Sequence, residues 1–302
     1  MARLPYRPAQ WRSLGSDVQL LGRRIFAIDL PARGAEDGPP LLCLHGFPTS
    51  SHDYGALVEP LGARRRLVLL DLLGFGFSEK PRRPYTIAEQ ADWVVALLRS
   101  LRLDEVDLLC HDMGDTVGCE LLARRRASGG GPHWRRVAML NGGLLPELHR
   151  PVLAQRLLRS PMKHAFAKLL SRRAFGRALS GVFAEETRPD AQELDDLFEL
   201  VSRDGGLANY PALIRYMDER VQHRVRWVGA LVALEEPLLL VWGDRDPVAV
   251  WPIAQEIGRL RPSTRVVRLQ GVGHYPQIEA AQRVAAAVEA HLSSPAGAAH
   301  AS

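Results

Sequence analysis

The chain has 302 residues, 46% of them hydrophobic and 24% charged, with a formal net charge of +5. That is the make-up of an ordinary globular protein, long enough for one large α/β domain with an insertion or for two small domains. Acidic and basic residues are interleaved and the arginine runs at 64–66 and 124–126 fall at expected element ends, so a solvated surface is expected and a nucleic-acid face is not.

The first twenty residues lack the apolar run of a signal peptide, and nowhere does the chain reach ~18 uninterrupted apolar residues. A soluble, cytoplasmic protein without stable membrane insertion is the expectation. Segments 18–21 and 24–30 alternate around Gly22 and predict an antiparallel hairpin at a sheet edge. After a turn-rich stretch, Leu41–Leu44 reads as a buried strand that ends in His45-Gly46-Phe47-Pro48. A short helix over 51–61 follows, then a strand over 66–71 and a glycine-punctuated loop over 71–78. Thr86, with Glu89 three residues later, is a capping box for the next helix.

Val106, Leu108, Leu109 and Cys110 form another buried-strand run, a sharp turn follows at 111–114, and a helical pattern carries Val117, Leu121 and Leu122. Residues 128–131 form a flexible connection to a strand over 137–140. From 144 to 231 the strand runs vanish and helical patterns take over, over 152–170, Ala191–Ser202 and 210–221. Strands return over 237–242 and 264–269, a closing helix spans 280–292, and 293–302 is a small polar tail. The expected architecture is a mostly parallel, doubly wound α/β sheet formed by 1–143 and 232–302, with a helical cap inserted over 144–231. The three cysteines, Cys43, Cys110 and Cys119, lie inside apolar patterns at no metal-ligand spacing and read as buried free thiols. No metal and no cofactor is expected.

Three polar residues stand directly after predicted strands: Asp112, Asp246 and His274. Each alone has an ordinary reading: Asp112 as a helix cap, Asp246 as a turn residue before proline, His274 as a surface-loop histidine. Together, in the order nucleophile, acid, histidine, they predict a catalytic triad at the carboxyl ends of the strands, on the pattern of α/β-hydrolases. Asp244 is expected to hold its loop, and Asp115 to favour the helix dipole. The backbone N–H groups of Phe47 and Met113 are the expected oxyanion hole.

Serine would be the usual apex residue, and it attacks carbonyl carbon. Aspartate suits displacement at saturated carbon, leaving an alkyl ester that His274 hydrolyses with an activated water. The motifs at 45–48, 71–78, 111–114, 243–247 and 273–276 then identify a resemblance to α/β-hydrolases of the epoxide hydrolase and haloalkane dehalogenase group. Within that group the chain looks like the mesoderm-specific transcript protein and its bacterial relatives, through the stretches at 111–115, 141–151, 226–231 and 274–277. The resemblance implies a hydrolase of a small apolar organic substrate. Epoxide hydrolysis to a diol leads, haloalkane dehalogenation is the alternative, and a ligand-binding protein without turnover is the second alternative. Dehalogenases of the group usually bind halide through side-chain N–H groups where this chain has Met113 and Phe47, leaving Trp227 as a candidate donor. Epoxide hydrolases use cap tyrosines, for which Tyr216 is the preferred candidate and Tyr210 the second.

Overall fold

The computed structural model describes residues 4–294, and the tail expected at 293–302 lies outside them from residue 295 onward. Its frame is an eight-stranded sheet. The strands are β1 (Ser16–Leu20), β2 (Arg23–Leu30), β3 (Leu41–Leu44), β4 (Leu67–Leu70), β5 (Glu105–His111), β6 (His133–Leu140), β7 (Leu238–Gly243) and β8 (Arg265–Leu269). They lie side by side in the order β1-β2-β4-β3-β5-β6-β7-β8. β1 pairs antiparallel with β2, and β2 with β4, whereas every pairing from β4 across to β8 is parallel.

The central strands are continuous apolar runs because both of their faces are covered. Leu42 and Leu44 of β3 point into one core with Val94 and Trp93, while Leu41 and Cys43 point into the other with Leu57 and Val288. β1 is mostly exposed, with Asp17 and Gln19 facing water, as suits a sheet edge.

Chain direction across the sheet reverses at β3. From β3 the chain moves to β4 on one side and then returns to β5 on the other, so the carboxyl ends of β3 and β5 open a crevice between them. The loops that follow these two strands begin with His45 and Asp112.

β5 runs one residue further than its apolar pattern suggests and ends at His111. Asp112 alone makes the turn, with φ 48° and ψ −107°, and the helix Met113–Ser128 starts at the next residue. Such a tight reversal brings the helix backbone onto β3: a methyl group on Gly114 would stand 2.2 Å from the carbonyl oxygen of Leu44 and 2.8 Å from that of His45.

Between β6 and β7 the regular structure is all helical. The continuous helix expected over 152–170 is two, Leu153–Arg159 and Lys163–Leu169, because Ser160 precedes a proline and turns extended. The pattern over 210–221 likewise divides into Tyr210–Leu213 and Tyr216–Gln222. Among the described residues no helix is long and apolar enough to cross a membrane.

Gly114→Ala is expected to lower unfolding stability by roughly 1–3 kcal/mol, since backbone rather than a movable side chain opposes the new methyl. Urea denaturation of the variant beside the parent measures this, and an unchanged midpoint would contradict the close approach.

Candidate active site

Loops after five parallel strands supply one polar group each to the crevice: Phe47 after β3, Asp112 after β5, Asn141 after β6, Asp246 after β7 and His274 after β8. Asp112 is 1% exposed. Its Oδ2 accepts the Phe47 N–H at 3.1 Å and lies 3.5 Å from the Tyr216 hydroxyl. Its Oδ1 accepts from Arg220 Nη2 at 3.2 Å, and the same nitrogen donates to the Asp112 carbonyl oxygen at 2.8 Å. Arg220 Nε donates to Thr116 Oγ1 at 2.7 Å, and the guanidinium lies 4.6 Å over the Tyr216 ring. Burial by itself pushes the Asp112 carboxyl up. Arg220 foremost, then His274, outweigh that and hold it below the usual carboxylate range.

A close approach of β3 makes the Phe47 contact possible. A methyl on Gly46 would stand 2.8 Å from Asp112 Cβ, so only glycine lets the two loops meet here. Met113 opens the helix directly after Asp112, where backbone N–H groups have no partner within the helix.

His274 Nδ1 meets Asp246 Oδ2 at 2.7 Å. Asp246 is fixed from every side: Asn141 Nδ2 donates to the same oxygen at 2.8 Å, and the N–H groups of Val248 and Ala249 donate to Oδ1 at 2.7 and 3.0 Å. Burial pulls the imidazole down, but the charge and hydrogen bond of Asp246, with Asp112 behind them, raise His274 to about 8. The backbone of His274 is anchored as well, its N–H on the Val182 carbonyl at 2.9 Å and its carbonyl 2.8 Å from His111 Nε2. Burial and the His274 charge lower His111 to about 3, so it is neutral and donates from Nε2.

Glu279 binds the loop around His274 to the helical segment. Its two oxygens accept the N–H groups of Gly273 (2.8 Å), Tyr275 (2.9 Å) and Ala184 (3.0 Å) and the Thr187 hydroxyl (2.6 Å). Asp244 instead pairs with Arg268 and accepts from Gly271 N–H at 2.9 Å, away from His274. Asp115 lies fully buried in the first turn of helix Met113–Ser128, and burial drives its carboxyl well above the usual carboxylate range.

The three aromatic candidates of the helical segment part ways. Tyr216 faces Asp112. Tyr210 lies against the Phe47 ring, but its hydroxyl donates to the Pro48 carbonyl at 3.1 Å. Trp227 is not at the site at all, because its N–H donates at 2.7 Å to Glu120, which also binds Arg226 and Arg124 on the flank of helix Met113–Ser128. Reading of the sequence missed Arg220, Asn141 and Glu279. Asn141 had a signal in its place at a strand end, whereas Arg220 and Glu279 lie in ordinary charged helical patterns.

A cavity of about 70 Å³ reaches this crevice between Phe47, Tyr210, His274 and Tyr275 and apolar residues of helices Leu153–Arg159, Lys163–Leu169 and Arg172–Ser180. It is far below the ~300 Å³ of an ordinary ligand pocket, so a larger ligand must part the helices. A wider cleft of about 820 Å³ lies elsewhere, among Arg172, Arg173 and Arg177, with no histidine in its lining.

The sequence pattern of the alpha/beta hydrolase fold family matches residues 39–281. The mesoderm-specific transcript homolog protein of Bos taurus is 39% identical over 279 residues, covering 89% of this chain and 83% of that protein. A haloalkane dehalogenase of Mycobacterium marinum is 32% identical over 222 residues, covering 71% of each. The crystal structure of a loop variant of the haloalkane dehalogenase DbeA from Bradyrhizobium elkanii matches with a TM-score of 0.77 at 22% identity, covering 92% of this chain and 96% of that one. This last likeness carries the fold alone.

The raised pKa of His274 has a consequence for stability. Folded, the imidazole holds its proton more tightly than at the ordinary value of 6.5, so the stabilisation is complete below pH 6.5 and is lost as pH rises through about 8. It amounts to about 2 kcal/mol. The loss of unfolding free energy in His274→Gln, measured against the parent, is therefore expected to shrink between pH 6.5 and pH 8.5. A pH-independent difference would be inconsistent with the Asp246 pairing.

Proposed function

The chain belongs to the α/β hydrolase fold family, and on that premise we propose that it is a hydrolase working through an alkyl ester on Asp112, with epoxides as its substrates. One observation carries this reading. At the apex of the turn after β5, where a serine would direct attack to carbonyl carbon, stands a buried carboxylate held below its ordinary pKa, facing the His274–Asp246 pair.

With Oδ2 held by the Phe47 N–H, Oδ1 is the attacking oxygen. Its lone pair forms a bond to an epoxide carbon, the C–O bond breaks toward the ring oxygen, and the Tyr216 hydroxyl donates to that oxygen. The ring oxygen takes its proton from Tyr216, which is reprotonated from solvent, and becomes the first hydroxyl of the product.

Alkylation also prepares the second step. Asp112 is one of the charges that raise His274, so turning it into a neutral ester lets the imidazole lose its proton and act as a base. With Nδ1 on Asp246, Nε2 takes a proton from water, and the oxygen adds to the ester carbon. Negative charge develops on Oδ2, where the N–H groups of Phe47 and Met113 stabilise it by roughly 3 kcal/mol each. Collapse expels the alkoxide, which takes the proton held by His274; Asp112 then releases the second water proton to solvent and returns to the carboxylate, and the diol leaves. Residues 144–231 serve as the cap that closes over an apolar substrate.

Dehalogenation is the second reading, favoured by the likeness to the Mycobacterium marinum dehalogenase. Epoxides come first because the side chains of Met113 and Phe47 carry no N–H for a halide and that of Trp227 is taken by Glu120.

Three outcomes test this. Asp112→Ala is expected to lose roughly 10⁴-fold or more in turnover. His274→Gln is expected to accumulate an adduct on Asp112 whose intact mass equals protein plus epoxide, and absence of any adduct across epoxides and haloalkanes would sink the mechanism. Tyr216→Phe should slow epoxide opening by roughly 10²-fold and leave haloalkane displacement, which needs no protonated oxygen, nearly unchanged.

A further inference from the structure

Arg220 is a costly residue to keep where it is. Its side chain is 4% exposed, and its one carboxylate partner among the described residues is Asp112. Nη1 is buried with no hydrogen-bond partner among the described residues. A few ångströms away, His149 Nε2 is buried and unpartnered too. Both side chains converge on the glycine pair that follows β6: a methyl on Gly143 would stand 2.3 Å from Arg220 Nη1 and 2.9 Å from His149 Cδ2. Two unpartnered nitrogens thus converge beside the Asp112 carboxylate, with the Tyr216 hydroxyl on its other oxygen.

Charge conservation sets the problem. The ester step proposed above turns Asp112 from an anion into a neutral group, and this inference rests on that step. A neutral substrate would leave Arg220 as a buried cation without its counterion, and removing one partner of a buried pair is strongly unfavourable. Arg220 also covers Oδ1, the oxygen that must attack, so the contact has to be exchanged before a bond can form.

We infer that Arg220 and His149 form a receptor for an anionic group on the substrate, a carboxylate on the carbon next to the reacting carbon. Such a group takes Nη2 over from Oδ1 and fills the unpartnered Nη1, so the guanidinium stays paired throughout and the attacking lone pair is released. Bidentate binding is the geometry in which guanidinium and carboxylate match best. The remainder of the substrate extends into the apolar cavity past Phe47 and His274. The substrate class is therefore an apolar-tailed 2,3-epoxy acid, and in the second reading a 3-halo acid.

Oxirane-2-carboxylate and oxirane-2-carboxamide have nearly the same shape and differ in charge, so the pair isolates the effect. The parent enzyme is expected to favour the acid by roughly 100-fold or more in kcat/KM. Arg220→Gln should abolish the preference, and Arg220→Lys, which keeps the charge without the fork, should retain part of it. Equal use of acid and amide by the parent, or an equal loss on both in Arg220→Gln, would overturn the inference. A binding experiment stands free of turnover. Asp112→Asn reproduces the charge of the ester, so calorimetry should find oxirane-2-carboxylate bound at least about 10-fold tighter than to the parent, with the gain lost in Asp112→Asn/Arg220→Gln. Identical binding to all three proteins also overturns the inference. Tight, Arg220-dependent binding with no Asp112 adduct in His274→Gln would retain the anion receptor and discard the ester mechanism.

Discussion

A carboxylate with 1% exposure cannot stay ionised unless its surroundings supply what water no longer does, and the site is arranged around that demand on Asp112. The Phe47 N–H takes one oxygen, Arg220 takes the other together with the Asp112 carbonyl, and His274 adds a nearby positive charge. Each supplier comes from a different part of the chain. Phe47 requires the β3 loop to lie so close that Gly46 can carry no side chain, and Arg220 requires the helix Tyr216–Gln222 to reach down over the strand ends.

The same dependence runs through the histidine. Asp246 is immobilised by Asn141 and two backbone N–H groups, and it fixes which imidazole nitrogen faces the crevice. Glu279 gathers donors from both neighbours of His274 and from Ala184 and Thr187, so the histidine loop and the helical segment share a carboxylate. Movement of those helices to admit a ligand would therefore be felt at His274. The cavity beside it holds only about 70 Å³.

The sheet was largely legible in the sequence because buried parallel strands are unbroken apolar runs, and this chain separates them with glycine and proline turns. Leu41–Leu44 is the strand that its residues predict, and Ala191–Ser202 the helix. Boundaries failed where a local rule intervened, as at Ser160 before its proline, and where His111 extended β5 beyond its apolar residues. Asp112, Asp246 and His274 could be singled out because each lies within five residues of a strand's carboxyl end, so position along the chain already implied a place at one edge of the sheet. Trp227 could be offered from sequence only as a possible donor, because helical spacing gives a face but not the neighbour that the face meets, which is Glu120.

By itself, then, the sequence determined the layered α/β frame, the turn that presents residue 112, and the presence of an aspartate rather than a serine at its apex. These are local properties, set by apolar periodicity, by glycine at close approaches and by the identity of one side chain. Tertiary structure alone decided that Arg220 pairs with Asp112, that Tyr216 rather than Tyr210 has its hydroxyl on that carboxylate, and that Glu279 holds the histidine loop. Arg220 lies 108 residues from Asp112 and Tyr210 lies 162 from Pro48. No local pattern encodes such pairings, because which charged side chain pays for burying a distant one is settled only when the helices pack onto the sheet.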